Sequence, residues 1–132
     1  MLQHKTHYSI GELCDEFSVT ARALRFYEDE ALIAPERRGT QRLYTERDRA
    51  RLAWILRGKR VGLSLAGIKE LLDLYDIGDD RRTQRLKTIE HCQRQVDKLK
   101  LQRIDIDATI KELEGFIALV KSQTAEHSTQ GK

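Results

Sequence analysis

A mainly helical protein, with a small globular head followed by one long helix, is predicted by three features of the sequence. Serine and threonine capping signals recur ahead of short apolar runs at helical spacing. One proline, Pro35, and a polar stretch after it interrupt those runs. From Arg82 to Lys121 the chain then has no proline and only Gly115 as a breaker. Composition agrees, since 39% hydrophobic and 34% charged residues with eight glycines fit an ordered, helix-rich chain. At 132 residues there is room for one compact domain and an extension, not for two ordinary domains.

Ser9-Ile10-Gly11-Glu12 has the form of a capping box and opens a first helix. Its Ile10, Leu13, Cys14 and Phe17 repeat at helical spacing, so Cys14 is expected to pack. Thr20 is the N-cap of a second helix running to about Ala31, only a few residues after the first. Packing through Leu13, Phe17, Val19 and Leu24 leaves Arg22 and Arg25 facing outward, which is helix-turn-helix geometry. Pro35 ends that unit. Glu36 to Tyr44 is polar with a turn signal at Gly39-Thr40, and a small hairpin wing fits it. Thr45-Glu46-Arg47-Asp48 starts a third helix with Leu52, Ile55 and Leu56 on its apolar stripe, ending near Gly62. Ser64 caps a fourth, with Leu65, Ile68, Leu71, Leu72 and Tyr75 buried and a stop at Ile77-Gly78-Asp79-Asp80.

The long helix carries its own signal. Ile89, Cys92, Val96, Leu99, Arg103, Ile106, Ile110, Leu113, Ile117 and Val120 alternate by three and four, and nine of the ten are apolar. That is a coiled-coil seam, and about 4.5 heptads exceed what a head of this size could cover by itself. Homodimerisation is therefore expected, against a lone helix lying on its own domain. The organisation read from the sequence is a DNA-binding-type head over residues 8–77, a dimerisation helix over 82–121 and a flexible polar tail over 122–132.

Net charge is only +3, but Arg37 to Arg60 holds nine basic residues against Glu46 and Asp48, a local balance of +7. Such focusing favours a polyanion, with a solvated helix face as the alternative. No residues cluster as a nucleophile with its base and no glycine-rich phosphate loop occurs, which argues against an enzyme. No cofactor is implied. Cys14 and Cys92 are too far apart for a CxxC motif and are expected to be packing thiols. The longest uncharged apolar stretch, Gly115 to Val120, falls far short of the roughly 20 residues of a membrane span, and no signal-peptide pattern precedes it. A cytoplasmic location without membrane contact follows as the expectation. A scaffold that dimerises without touching DNA is the rival reading.

The run Thr20-Ala21-Arg22-Ala23-Leu24-Arg25-Phe26-Tyr27-Glu28, then Leu32-Ile33-Ala34-Pro35 and Arg42-Leu43-Tyr44, resembles the signature of the MerR family of bacterial transcription regulators. The resemblance covers residues 8–121. It implies a winged helix-turn-helix that dimerises through an antiparallel coiled coil, binds double-stranded DNA and acts on RNA polymerase at a promoter. By position it implies that Thr20, Arg22 and Arg25 meet base edges or nearby phosphates and that Tyr27 offers its hydroxyl to a phosphate. Arg37, Arg38, Arg42 and Tyr44 would be wing contacts to the backbone, and Lys59 and Arg60 could reach flanking DNA. Packed aromatics are the alternative for Tyr27 and Tyr44, and solvated positions for Lys59 and Arg60.

Two residues depart from the family pattern. Ala31 stands where glycine usually closes the recognition helix in a left-handed turn, so that helix is expected to end differently. Phe26 replaces a frequent tyrosine. Metal-sensing relatives carry cysteines at the start of the dimerisation helix and after it, where this chain has Asp79, Asp80, Arg81 and Arg82 and no cysteine beyond Cys92, so no metal site is expected. His4, His7, His91 and His127 are scattered. Segments at 35–42, 55–60 and 71–76 resemble short members that control leucine, isovalerate or acyl-CoA catabolism. That resemblance implies a small-molecule effector such as an acyl-CoA or organic acid.

Overall fold

The computed structural model describes residues 6–74 and 81–130. In order the elements are β1 (His7–Tyr8), α1 (Ile10–Phe17), α2 (Ala21–Asp29), β2 (Glu36–Arg38), β3 (Gln41–Thr45), α3 (Glu46–Arg60), α4 (Leu65–Asp73) and α5 (Arg82–Gln130). The chain divides into two units, one through Cys92 and one from Gln93 onward. Among the described residues no helix is long and apolar enough to cross a membrane.

In the first unit the capping signals do what their chemistry requires. Ser9 Oγ accepts from the Glu12 amide at 3.1 Å while the Ser9 amide donates to Glu12 Oε1 at 3.0 Å, closing the box at α1. Thr45 and Asp48 form the same reciprocal pair at α3, and Thr20 and Ser64 cap α2 and α4. The turn between α1 and α2 is set by Ser18 at φ 54°, where the Val19 amide reaches back to the Cys14 carbonyl.

The strands form one antiparallel sheet in the order β1-β3-β2. Arg38 pairs with Gln41 across a two-residue turn, and Gly39 supplies the positive φ of 63° that so tight a loop needs. β1 was not legible in the sequence, since two residues carry no periodicity. It is held by register, with Tyr8 opposite Tyr44.

The core gathers residues from α1, α2, β3, α3 and α4 and from the segment after α2. Leu13, Leu24, Tyr27, Leu32, Ile33, Tyr44, Leu52, Ile55, Ile68 and Leu72 are buried together. Helices α3 and α4 approach closely at Gly58, where an added methyl would lie 2.9 Å from Ile68 Cδ1. Cys14 packs against this core, as expected, and Cys92, a seam position of α5, is exposed in the single chain.

Two expectations are corrected. Ala31 adopts the left-handed conformation after all, at φ 59°, with the Leu32 amide bonded to the Tyr27 carbonyl at 2.9 Å and the Ala31 amide to Glu28 at 3.0 Å. Burial of Leu32 and Ile33 outweighs the strain of an alanine there. From Ser122, where a flexible polar tail was expected, α5 continues as helix through Gln130, and Thr124 Oγ1 donates to the Val120 carbonyl at 2.9 Å. Polar residues without proline or glycine do not oblige a helix to stop. Tyr75 and the expected stop at Ile77-Gly78-Asp79-Asp80 lie outside the described residues, as do the side chains of His4 and His127.

These contacts set two stability expectations. Ala31→Gly relieves the left-handed strain and should raise stability by about 0.5–1 kcal/mol. Gly58→Ala should lower it by about 1–3 kcal/mol, because Ile68 must move from a close-packed site. Thermal melting followed by circular dichroism checks both.

Candidate nucleic-acid interface

Thr20, Arg22 and Arg25 stand exposed on the first turns of α2, while Leu24 and Tyr27 on the opposite face are buried. Arg22 and Arg25 are three residues apart and so share one helix face. Neither has an ion-pair partner among the described residues. Thr20 Oγ1 accepts from the Ala23 amide at 3.1 Å, which leaves its proton free to donate outward.

The wing is fastened to this helix by one carboxylate. Glu28, on the last turn of α2, accepts from Arg37 Nη2 at 2.9 Å and from Arg42 Nε at 2.8 Å. Its side chain is only 17% exposed. Burial pushes the Glu28 carboxyl up, but the two arginine hydrogen bonds outweigh it and hold the group below its ordinary value. Arg37 is exposed and Arg42 half-buried, so Arg42 acts mainly as a tie within the protein. Arg38 is exposed.

Lys59, on the last turn of α3, places its ammonium 5.7 Å from the centre of the Tyr27 ring. The structure thus brings Tyr27, Glu28, Arg37, Arg42 and Lys59 together around α2. Arg60 is exposed, and no described contact joins it to that group.

Of the two readings of Tyr44, wing contact or packed aromatic, the structure has the packed one: it is 0% exposed, a central core residue, and its hydroxyl finds no partner among the described residues. It packs in the core cluster beneath the wing. Tyr27 is 4% exposed and also serves chiefly as core. The basic balance counted along the sequence overstates the free charge. Arg49 donates to Glu16 and to Glu46 Oε1, and Glu46 also accepts from the Tyr8 hydroxyl at 2.6 Å. Arg51 is largely buried, donating to the Leu32 carbonyl at 2.6 Å and the Leu72 carbonyl at 3.2 Å.

Sequence reasoning missed Glu28, Asp48 and Arg51 as organisers. Asp48 Oδ1 accepts from the Ala34 amide at 2.9 Å and Oδ2 from the Thr45 amide at 2.9 Å. Its capping-box position pointed to the second contact only.

On α5, the seam residues Ile89, Val96, Leu99, Ile106, Ile110, Leu113, Ile117 and Val120 are all exposed, between 41% and 64%. Cys92 and Arg103, the other two seam positions, are exposed as well.

A helix-turn-helix whose second helix presents arginines beside a basic wing defines a DNA-binding protein. The model for MerR HTH family regulatory proteins matches residues 8–75, and that for MerR DNA binding matches residues 49–116. The chain belongs to the MerR family of DNA-binding transcriptional regulators, which are not enzymes. It is 34% identical over 111 residues to the HTH-type transcriptional regulator ZntR of Escherichia coli, covering 83% of this chain and 72% of that one. It is 31% identical over 98 residues to the regulator GlnR of Bacillus cereus, covering 74% and 72%. The solved structure of HiNmlR, a MerR family regulator lacking the sensor domain and bound to promoter DNA, is similar with a TM-score of 0.57 and 27% identity. That match covers 80% of this chain and 79% of the other.

The Glu28 clamp has a pH signature. Because its folded-state pKa lies below the unfolded value of about 4.3, the clamp's contribution is complete above that pH and is lost as pH falls through the folded value. Glu28→Gln should therefore cost about 1–2 kcal/mol at neutral pH. The gap to the unaltered protein should close in acid, as read by denaturant titration across pH.

Proposed function

We propose that the chain acts in the cytoplasm as a homodimer on a pseudo-palindromic promoter operator, with an α2 helix of each protomer in successive major grooves on one face of the duplex. The observation that carries this reading is the exposed pair Arg22 and Arg25 on a helix whose other face is locked in the core. Their guanidinium forks suit guanine edges or phosphates, and Thr20 can donate beside them. Arg37, Arg38, Lys59 and Arg60 suit backbone contacts, which fix position without reading sequence.

The exposed apolar seam supports dimerisation, since so many aliphatic side chains in one stripe are stable in water only when a partner covers them. We take the pair as antiparallel, with the two-fold axis between Ile104 and Asp105. Arg103 then lies beside its own copy, near Asp105 or Asp107 of the other protomer. On the DNA, the dimer bends and untwists the promoter so that RNA polymerase meets its two elements in register, under the control of an acyl-CoA or related organic acid. The resemblance of this chain to short regulators of acyl-CoA catabolism is what supports that effector class.

Gel shifts at graded salt test the DNA reading. Operator affinity should fall steeply as salt rises, because several phosphates are neutralised per dimer. Arg25→Ala should weaken operator binding by about 1–3 kcal/mol more than random DNA, whereas Arg38→Ala should weaken both alike. Parallel losses in both variants would remove Arg25 from base reading. A cleavage probe should show hypersensitivity at the operator centre, where distorted steps expose the backbone.

Cross-linking tests the direction of the coil. In an antiparallel pair Cys92 lies roughly 37 Å from its mate, beyond the about 7 Å that a disulfide tolerates between Cα atoms. Mild oxidation of the native dimer should give no Cys92 cross-link. Arg103→Cys on a Cys92→Ser background should cross-link more readily, and efficient coupling through Cys92 would make the pair parallel.

A further inference from the structure

Within the first unit, α3, α4 and the N-terminal turns of α5 enclose a groove of about 190 Å³ whose lining includes Trp54, Gly58, Val61, Leu63, Ile68 and Cys92. Trp54 and Val61 are 42% and 51% exposed there. We propose that this groove is filled by Phe116 and Leu119 of a second copy of the chain, so that the far end of each long helix docks on its partner's head. The proposal rests on the reading of the chain as an antiparallel homodimer.

The heptad supplies the register. With the two-fold axis between Ile104 and Asp105, every seam residue meets a seam residue of the other copy. Ile89 meets Val120, Cys92 meets Ile117, Val96 meets Leu113, Leu99 meets Ile110 and Arg103 meets Ile106. No other axis pairs all ten positions. The partner's residues 115–120 therefore run past residues 89–94, at the level of Cys92 and the groove it lines.

Helical phase supplies the side. Three residues near the start of α5 are turned toward the head. Gln84 donates to the Leu71 carbonyl at 2.9 Å, Thr88 lines the groove, and His91 Nε2 lies 3.3 Å from Glu70 Oε2. With Ile89 at heptad position a and Cys92 at d, these three fall at c, g and c. In an antiparallel pair the two-fold axis runs from one flank of the seam to the other and carries each flank onto itself. The g and c positions of both helices therefore share the flank on which the head of each chain sits.

Phe116 is a g residue and Leu119 a c residue. They are 63% and 54% exposed, and a two-helix seam by itself leaves both in water. The other flank of the same stretch carries Lys111, Glu114 and Lys121. One heptad earlier the g and c positions are Thr109 and Glu112, which pass residues 97 and 100, outside the first unit. Apolar side chains thus leave the seam on the one flank, and at the one level, where an apolar groove of the other copy awaits them. The two-fold repeats the contact, and each head is held by the α5 helices of both chains.

Trp54 is the only tryptophan, so its fluorescence in the full-length protein reports the groove. Two affinity tags allow isolation of heterodimers in which one chain keeps Trp54 and the other carries Trp54→Phe. Phe116→Ala/Leu119→Ala on the chain lacking Trp54 should shift the emission to the red and increase its quenching by acrylamide. The same pair on the chain that keeps Trp54 should change neither, and nor should Lys111→Ala/Glu114→Ala on either chain. If the double variant fails to assemble, Phe116→Leu gives the same comparison with a smaller shift. Equal responses from the two placements, a response only to the chain's own substitutions, or no response at all would overturn the docking and leave the dimer standing. Sedimentation of the unaltered protein as a monomer, or efficient coupling through Cys92, removes the antiparallel pair and the docking with it.

Discussion

The first two turns of α3 carry a constraint on which the rest of the head depends. Asp48 and Arg51, one turn apart on α3, take hold of the segment that follows the recognition helix: Asp48 accepts from the Ala34 amide and Arg51 donates to the Leu32 carbonyl. Asp48 also accepts from the Thr45 amide, where β3 ends, and Arg51 also reaches the last turn of α4. A carboxylate and a guanidinium with their hydrogen-bonding capacity turned inward are costly to desolvate, and only well-placed partners offset that cost. Backbone amides and carbonyls at element ends are such partners, because they have no place in a helix or sheet ladder. The polar groups therefore join elements at their termini, while Leu13, Leu24, Leu52 and Ile55 supply the apolar packing between them.

Around that hub the interface is built by division of labour among like residues. Arg22 and Arg25 stay in solvent because their neighbours Leu24 and Tyr27 hold the helix by its other face. Arg37 and Arg42 share Glu28, so the wing's angle to α2 is fixed by charge-assisted hydrogen bonds as well as by the strand pairing below it. Arg49 is spent on Glu16 and Glu46 and stitches α1 to α3. Arginines that look alike in a charge count are thus of two kinds, those that hold the surface in shape and those that remain for a ligand.

Much of the element order was legible because it depends on neighbours in the chain. The capping boxes at Ser9 and Thr45 and the caps at Thr20 and Ser64 span three or four residues, and all four helices start where they say. The hairpin turn follows from Gly39 in the same local way. The departures have nonlocal causes. Ala31 was expected to avoid a left-handed turn on its own preference, yet burial of Leu32 and Ile33 imposes one. Tyr44, read as either a wing contact or a packed aromatic, is the latter because β3 carries it into the core cluster with Leu13, Leu24 and Leu52.

Local chemistry written into successive residues thus determined by itself the helix starts, the wing, the unbroken long helix with its apolar stripe, and the outward placing of Arg22 and Arg25 on α2. The tertiary structure alone decided which arginines remain free, that Glu28 clamps the wing, and that Trp54, Leu63, Ile68 and Cys92 line one groove. The reason is that a cap or a heptad is an interaction between positions a fixed few residues apart. A salt bridge such as Arg49 with Glu16, 33 residues apart, exists only when packing of the core has brought its two ends together.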